Sequence, residues 1–162
     1  MGLPDRNEVI GHLDRMLERW NANGVVGDTG GGTTDRFRPE PKPPAVYSIG
    51  LLGHDELYSM DAEGTDLALI EITRRLDRLV RSDDLLGQVS PDQFLLAAAS
   101  VAPSTAGVIM ERVSGAVAMP LDIGGQPVSL SVEIGLAFAF DGASSESMIA
   151  AAEKDRTRRT LK

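Results

Sequence analysis

Val9, Ile10, Leu13, Met16, Leu17 and Trp20 recur on one helical face and predict an amphipathic helix near the start of the chain. Asp5 with Glu8 three residues on has capping-box spacing, which sets where that helix begins. The pattern stops at Asn21-Ala22-Asn23-Gly24. From residue 21 to 44 the chain carries Gly30-Gly31-Gly32, Thr33-Thr34 and four prolines between Pro39 and Pro44, too little apolar surface to bury, and it reads as a mobile loop. No Gly-Lys-Ser/Thr follows those glycines, which argues against a phosphate-cradling loop.

Ala45 to Leu52 reads as a buried strand, followed by a short polar helical turn from His54 to Met60. Gly64-Thr65-Asp66 opens a long helix with Leu69, Ile72, Leu76 and Leu79 on its apolar side and Arg74, Arg78 and Arg81 on the other, ending at Asp83-Asp84. Leu85–Val89 and Phe94–Val101 form a hairpin, at 85–101, about the turn Ser90-Pro91-Asp92-Gln93. Ser104 begins a helix to about Val117. Strict alternation over Val128, Leu130, Val132, Ile134, Leu136 and Phe138 predicts a strand. A last helix starts at Ser144 or Ser145, passes Met148, Ile149 and Ala152, and runs into a basic tail at 153–162. The order predicts an α/β (α+β) fold, one domain over 1–160 with a central mixed sheet flanked by helices.

Composition narrows the chemistry. The 162 residues carry 16 Lys plus Arg against 24 Asp plus Glu, a net charge of −8 that repels phosphate backbones and excludes global electrostatic binding of nucleic acid. The absence of cysteine removes disulfides, thiolate metal sites and Cys nucleophiles. No apolar run approaches the ~20 residues of a membrane span, so no membrane insertion is expected. With no signal peptide at the start, the expected location is cytoplasmic. The tail, with Lys154, Arg156, Arg158, Arg159 and Lys162, is the one basic patch.

Several segments together resemble the GGDEF domain of bacterial diguanylate cyclases, over nearly the whole length. Gly2-Leu3-Pro4-Asp5-Arg6 is similar to the family's Thr-Gly-Leu-Pro-Asn-Arg opening. Arg81-Ser82-Asp83-Asp84-Leu85, with Gln88-Val89-Ser90-Pro91-Asp92-Gln93-Phe94 after it, resembles Arg-x-x-Asp-Leu…Arg-Leu-Gly-Gly-Asp-Glu-Phe. Ser131-Val132-Glu133-Ile134-Gly135-Leu136-Ala137 resembles the Val-Ser-Ile-Gly-Val-Ala strand. The resemblance implies a nucleotide-cyclase, palm-like fold and chemistry that condenses two GTP into cyclic di-GMP, in which divalent ions clamp the reacting oxygens and need carboxylates.

The implied catalytic positions are degenerate here. The family's Asp-x-Asp would end the first strand, which reads Ile49-Gly50-Leu51-Leu52 with no acid; Asp55 and Glu56 lie beyond it. Asp92 keeps the hairpin carboxylate. Ser90 and Pro91 replace glycines that offer N–H donors to phosphates, and Gln93 replaces an acid. Tyr58 falls at or near the guanine-reading Asn, while Asp66 matches the guanine-contacting Asp but suits a helix's first turn better. The Lys-bearing signature near the family's C-terminus is replaced by residues 152–160. What the resemblance retains is the Arg-x-x-Asp of the inhibitory site for cyclic di-GMP: Arg81 and Asp84, nine and six residues before Ser90, with Arg74 and Arg78 as accessory cations.

The expectation is a catalytically inactive regulatory module with cyclic di-GMP as its ligand, no cofactor and no metal. Arg81 and Asp84 also suit a helix end and a turn without any ligand. Two rival readings stand beside it: a protein-interaction scaffold using loop 21–44 or the tail, and a residual cyclase using Asp92 with Asp55 or Glu56 as metal ligands. His12 and His54 read as a helix-face residue and a turn residue.

Overall fold

Strand β1 (Ala45–Leu52) forms where the apolar run predicts it and is buried on both faces, apart from its last residue. In the computed structural model, which describes residues 3–27, 40–140 and 142–160, β1 lies between β3 (Gln93–Ala98) and β6 (Ser131–Phe138). Strand β2 (Leu85–Ser90) completes the sheet in the order β2-β3-β1-β6. Ala45, Tyr47, Ile49 and Leu51 join a core with α3 (Ala62–Asp77) and α4 (Ala106–Ala118). Val46, with Leu95 and Ala97 of β3, packs instead against α1 (Arg6–Gly27) and α5 (Ser145–Thr160). The period-2 alternation of one strand thus assigns two helices to each face.

The α+β fold is as expected, but every neighbouring pair in the sheet is antiparallel rather than mixed. The helices after β1, α2 (His54–Met60) and α3, return the chain parallel to β1 but one place removed. Strand β3 fills the gap, antiparallel to both. The strand expected from residue 128 begins at Ser131. Before it, β4 (Leu121–Ile123) and β5 (Gln126–Val128) pair as a separate ribbon that turns on Gly124 and Gly125, both at positive φ.

Other boundaries move for identifiable reasons. The capping box forms as predicted, with Glu8 N–H donating to Asp5 Oδ1 at 2.9 Å. Helix α1 then continues through Gly27, because Asn and Gly weaken a helix without ending it. The expected loop 21–44 is therefore helical in its first part, and 28–39, with the glycine cluster, lies outside the described residues. Asp61 caps α3, accepting from Gly64 N–H at 2.9 Å, three residues before Gly64 itself. That helix stops at Asp77: Leu79 and Val80 donate to the carbonyls of Leu76 and Asp77, tightening the last turn, and Leu79 is left exposed.

Helix α5 runs through the first eight residues of the basic tail, to Thr160. Arg6 pairs with Glu153 at 3.0 Å, which raises the Arg6 pKa, and Leu136 N–H donates to Asp155 at 2.9 Å. No helix among the described residues is long and apolar enough to cross a membrane.

Two predictions test this packing. A Cβ on Gly135 of β6 would meet the Ala152 carbonyl at 2.0 Å and Arg156 N at 2.3 Å, both backbone atoms of α5. Gly135→Ala is expected to lower stability by about 2–3 kcal/mol in chemical denaturation, as overpacking against backbone does. Tyr47 is fully buried, its hydroxyl donates to the Ala106 carbonyl at 3.2 Å, and burial, with the nearby Asp84 carboxylate, pushes its pKa up to about 12. The folded pKa lies above the ordinary value of about 10, so this stability is present below pH 10 and lost as pH rises through 12, on the order of 3 kcal/mol. Tyr47→Phe should flatten that alkaline limb at a cost of about 1 kcal/mol near neutrality.

Candidate functional site

Two recesses collect the residues that the sequence singles out. The first lies at the end of β1. Gly50 is opposite Gln93 on β3 and Glu133 on β6, and directly opposed residues share a face, so the three form a row beneath α5. Arg156 of α5 lies over that row, and a Cβ on Gly50 would meet its guanidinium nitrogen at 2.3 Å. Asp92 and Thr157 complete a recess of about 310 Å³.

The hairpin turn reaches this recess through its backbone, with Leu51 N–H donating to the Asp92 carbonyl at 2.8 Å. Pro91 and Asp92 are the two loop residues, and neither has positive φ. A register shift at Val89 accommodates a two-residue loop of that geometry. Ser90 Oγ donates to Asp92 Oδ1 at 3.0 Å, so the serine that replaces a glycine steadies the carboxylate. On the other side of the β1 end, Gly53 at φ 84 turns the chain into α2. That turn brings His54 back to the hairpin, where the donor atoms of His54, Asp55 and Asp92 all lie within 4.8 Å of one another. His54 Nδ1 is 3.3 Å from Asp55 Oδ1, while Nε2 is buried without a hydrogen-bond partner among the described residues, a condition that typically costs about 1–3 kcal/mol.

The remaining family positions do not converge here. Tyr58 is half-exposed on α2, its ring 5.7 Å from that of His54, and Asp66 is exposed in the first turns of α3. The residues present do not fit the two-metal centre that the resemblance implies. At the β1 end a glycine stands between Gln93 and Glu133, and a guanidinium covers it where two divalent cations would need carboxylates.

The second recess, about 280 Å³, surrounds Arg81 with Lys42, Ser100, Thr105 and Arg112 among its lining. Arg81 is exposed and stands four residues beyond α3, in a turn where Asp84 N–H donates to its carbonyl at 3.0 Å. It is therefore not in a last helical turn, and helix-end electrostatics do not account for it. Asp84 Oδ1 accepts from Ala99 N–H at 2.9 Å and fastens the chain before β2 to the end of β3. A carboxylate has capacity for further hydrogen bonds beside that one. Lys42 is carried by a pinned segment: Val101 N–H donates to the Pro43 carbonyl, and Glu40 accepts from Ser104 N–H and Oγ, which holds its carboxyl below the usual range.

Asp84, Arg74 and Arg78 are not among the residues lining this recess. Arg74 pairs with Glu71 at 3.2 Å, and Arg78 caps α3. Arg75, which the sequence does not mark, reaches Glu71 and the carbonyls of Ala116, Met119 and Pro120, tying α3 to the end of α4; its hydrogen bond lowers the Glu71 pKa. Sequence reasoning assigns none of Lys42, Arg112, Glu133, Arg156 and His54 to these recesses. They are brought in by chain reversals and sheet register that no local pattern reports.

Comparison with known proteins agrees with this architecture. Residues 62–158 match the family described as diguanylate cyclase, GGDEF domain. The oxygen sensor protein DosP of Escherichia coli is 24% identical over 139 residues, which is 85% of this chain and 15% of that protein's length. A sensory box/GGDEF family protein from Caulobacter crescentus superposes with a TM-score of 0.81 at 22% identity, covering 99% of this chain and 95% of that one. The GGDEF domain of DgcB from Caulobacter crescentus, solved in complex with c-di-GMP, gives a TM-score of 0.80 at 12% identity over 98% of this chain and 86% of that one. The family match spans more than half of the chain, and the fold agrees with it over almost all of the rest: the chain belongs to the GGDEF domain family.

Proposed function

We propose that the chain is a catalytically inactive GGDEF module that binds cyclic di-GMP through Arg81 and Asp84. The observation that carries this reading is the opposite character of the two recesses. One has lost the carboxylates at the β1 end and holds Arg156 against Gly50. The other gathers Arg81, Arg112 and Lys42, three cations, on a chain whose net charge is −8. A phosphodiester is a fitting ligand for a guanidinium, which binds phosphate oxygens in a bidentate manner, and the remaining acceptor capacity of Asp84 suits the N–H groups of guanine. The fold shared with a c-di-GMP-bound GGDEF domain supports the choice of ligand.

Calorimetric titration with cyclic di-GMP beside GTP tests the reading. Binding of cyclic di-GMP at micromolar concentration or below, with GTP silent, is the expected result. Loss of a charge-assisted contact in Arg81→Ala should weaken it about 10- to 150-fold. Asp84→Asn keeps an acceptor for Ala99 N–H, so the melting temperature should stay while affinity falls. Asp84→Ala orphans that donor and should also lower stability by about 1–2 kcal/mol. No heat from cyclic di-GMP at millimolar concentration, with a folded chain, contradicts the reading and leaves the fold as a scaffold for a protein partner.

A further inference from the structure

The exposed face of α3 carries a pattern that neither recess uses, and we infer that it is a docking surface for a second copy of this chain, packed helix against helix, antiparallel, about a two-fold axis. A surface helix ordinarily turns polar residues to solvent. Here Leu67 is 68% exposed and Ile70 is 55% exposed, while Ala68, Leu69, Ile72 and Leu76 of the same helix are buried. Met60, just before the Asp61 cap of α3, is 82% exposed. Three of the four most exposed large apolar side chains among the described residues thus fall between Met60 and Ile70. Isolated apolar residues on a surface are ordinary, but Leu67 and Ile70 are three apart and adjoin on the helix surface.

Charge decides what covers this patch. Glu63 stands four residues before Leu67, and Arg74 four residues after Ile70. At about 3.6 residues per turn, each falls within about 10° of the line midway between the two apolar residues. The stripe therefore runs acid, apolar, apolar, base, and is centred between Leu67 and Ile70. Both charged residues are exposed. The pair that Arg74 makes with Glu71, at 3.2 Å, lies along its own helix at the surface and holds the guanidinium weakly.

Such a stripe is complementary to its own reverse. In a two-fold interface, a residue that meets a second residue of the partner is met by that same residue in return. With the helices antiparallel, Leu67 lies against the partner's Ile70 and Glu63 against the partner's Arg74, and each contact occurs twice. A parallel pair would set glutamate against glutamate and arginine against arginine, which is repulsive. The flanking charges follow the same sense: Asp66 shares the first half of the exposed face with Glu63, and Arg78 the second with Arg74, with Asp77 the exception. The 16 residues of α3 span about 24 Å, less than a standard interface of roughly 1,200 Å² requires, so the dimer is weak, with a Kd on the order of 100 µM. Nucleotide binding at Arg81 plays no part in this contact, because Arg81 lies beyond the end of α3.

Analytical ultracentrifugation of the full chain, from about 10 µM to about 1 mM, tests the inference. A monomer–dimer equilibrium is expected, with the dimer prevailing at the upper end. Leu67→Glu and Ile70→Glu, each at an exposed side chain, should leave the melting temperature of the dilute chain unchanged. Each should weaken dimerisation at least about tenfold, because it places two unpaired carboxylates in the contact. Glu63→Arg and Arg74→Glu should each weaken dimerisation at least about threefold, and combining them should restore it, because the swapped charges again meet their opposites. A chain that stays monomeric at about 1 mM overturns the inference. So does a dimer that Leu67→Glu and Ile70→Glu leave unchanged, or a double charge swap as weak as the single ones, which antiparallel pairing excludes.

Discussion

Helix α5 lies so close to β6 that Gly135 has no space for a side chain, and this contact decides what the nearby recess can hold. The Ala152 carbonyl and the backbone of Arg156 occupy the volume a Cβ would need. With the helix seated there, the Arg156 side chain extends along the sheet to Gly50, two residues further along β1 from Ser48, the partner of Gly135. Gly50 in turn accepts that guanidinium only because it too lacks a side chain. Two glycines on neighbouring strands thus place a fixed cation over the end of the central strand. The proposed loss of catalysis follows from packing as much as from missing acids, since restoring a carboxylate at Gly50 would require Arg156 to move.

The same sheet carries the proposed regulatory site at its other end. Strand β3 links the two: its first residues flank Gly50, and its far end is fastened through Asp84 to the turn that presents Arg81. Asp84 therefore has a structural contact whatever it binds, and its effect on stability must be separated from its effect on affinity. Arg81 has no equivalent duty in the helix, which ends at Asp77.

Much of the fold was legible because its signals are local. The alternation in β6, the apolar run of β1, the Asp5–Glu8 capping box and the hairpin around Pro91-Asp92 all form at or near their predicted places. Boundaries failed where tertiary packing overrode composition. Residues 153–160 read as a polar tail, yet they are helical because Ala152 and Asp155 are held on β6. Arg74 and Arg78 share a helical side with Arg81 only if α3 continues, and it does not. The recesses were half legible: Asp92, Gly50 and Arg81 carry family spacing, whereas Lys42, Arg112, Arg156 and His54 join them through contacts distant in sequence, to which residue spacing is blind.

The proposed function requires that a GGDEF fold here retain its scaffold without its chemistry. The most direct measurement is an incubation of the purified chain with GTP and either Mg²⁺ or Mn²⁺, with nucleotides separated by chromatography over many hours. No cyclic di-GMP above a protein-free control is expected with either ion. Accumulation of cyclic di-GMP that disappears in Asp92→Asn would contradict it, and would show that the hairpin carboxylate still supports phosphoryl transfer.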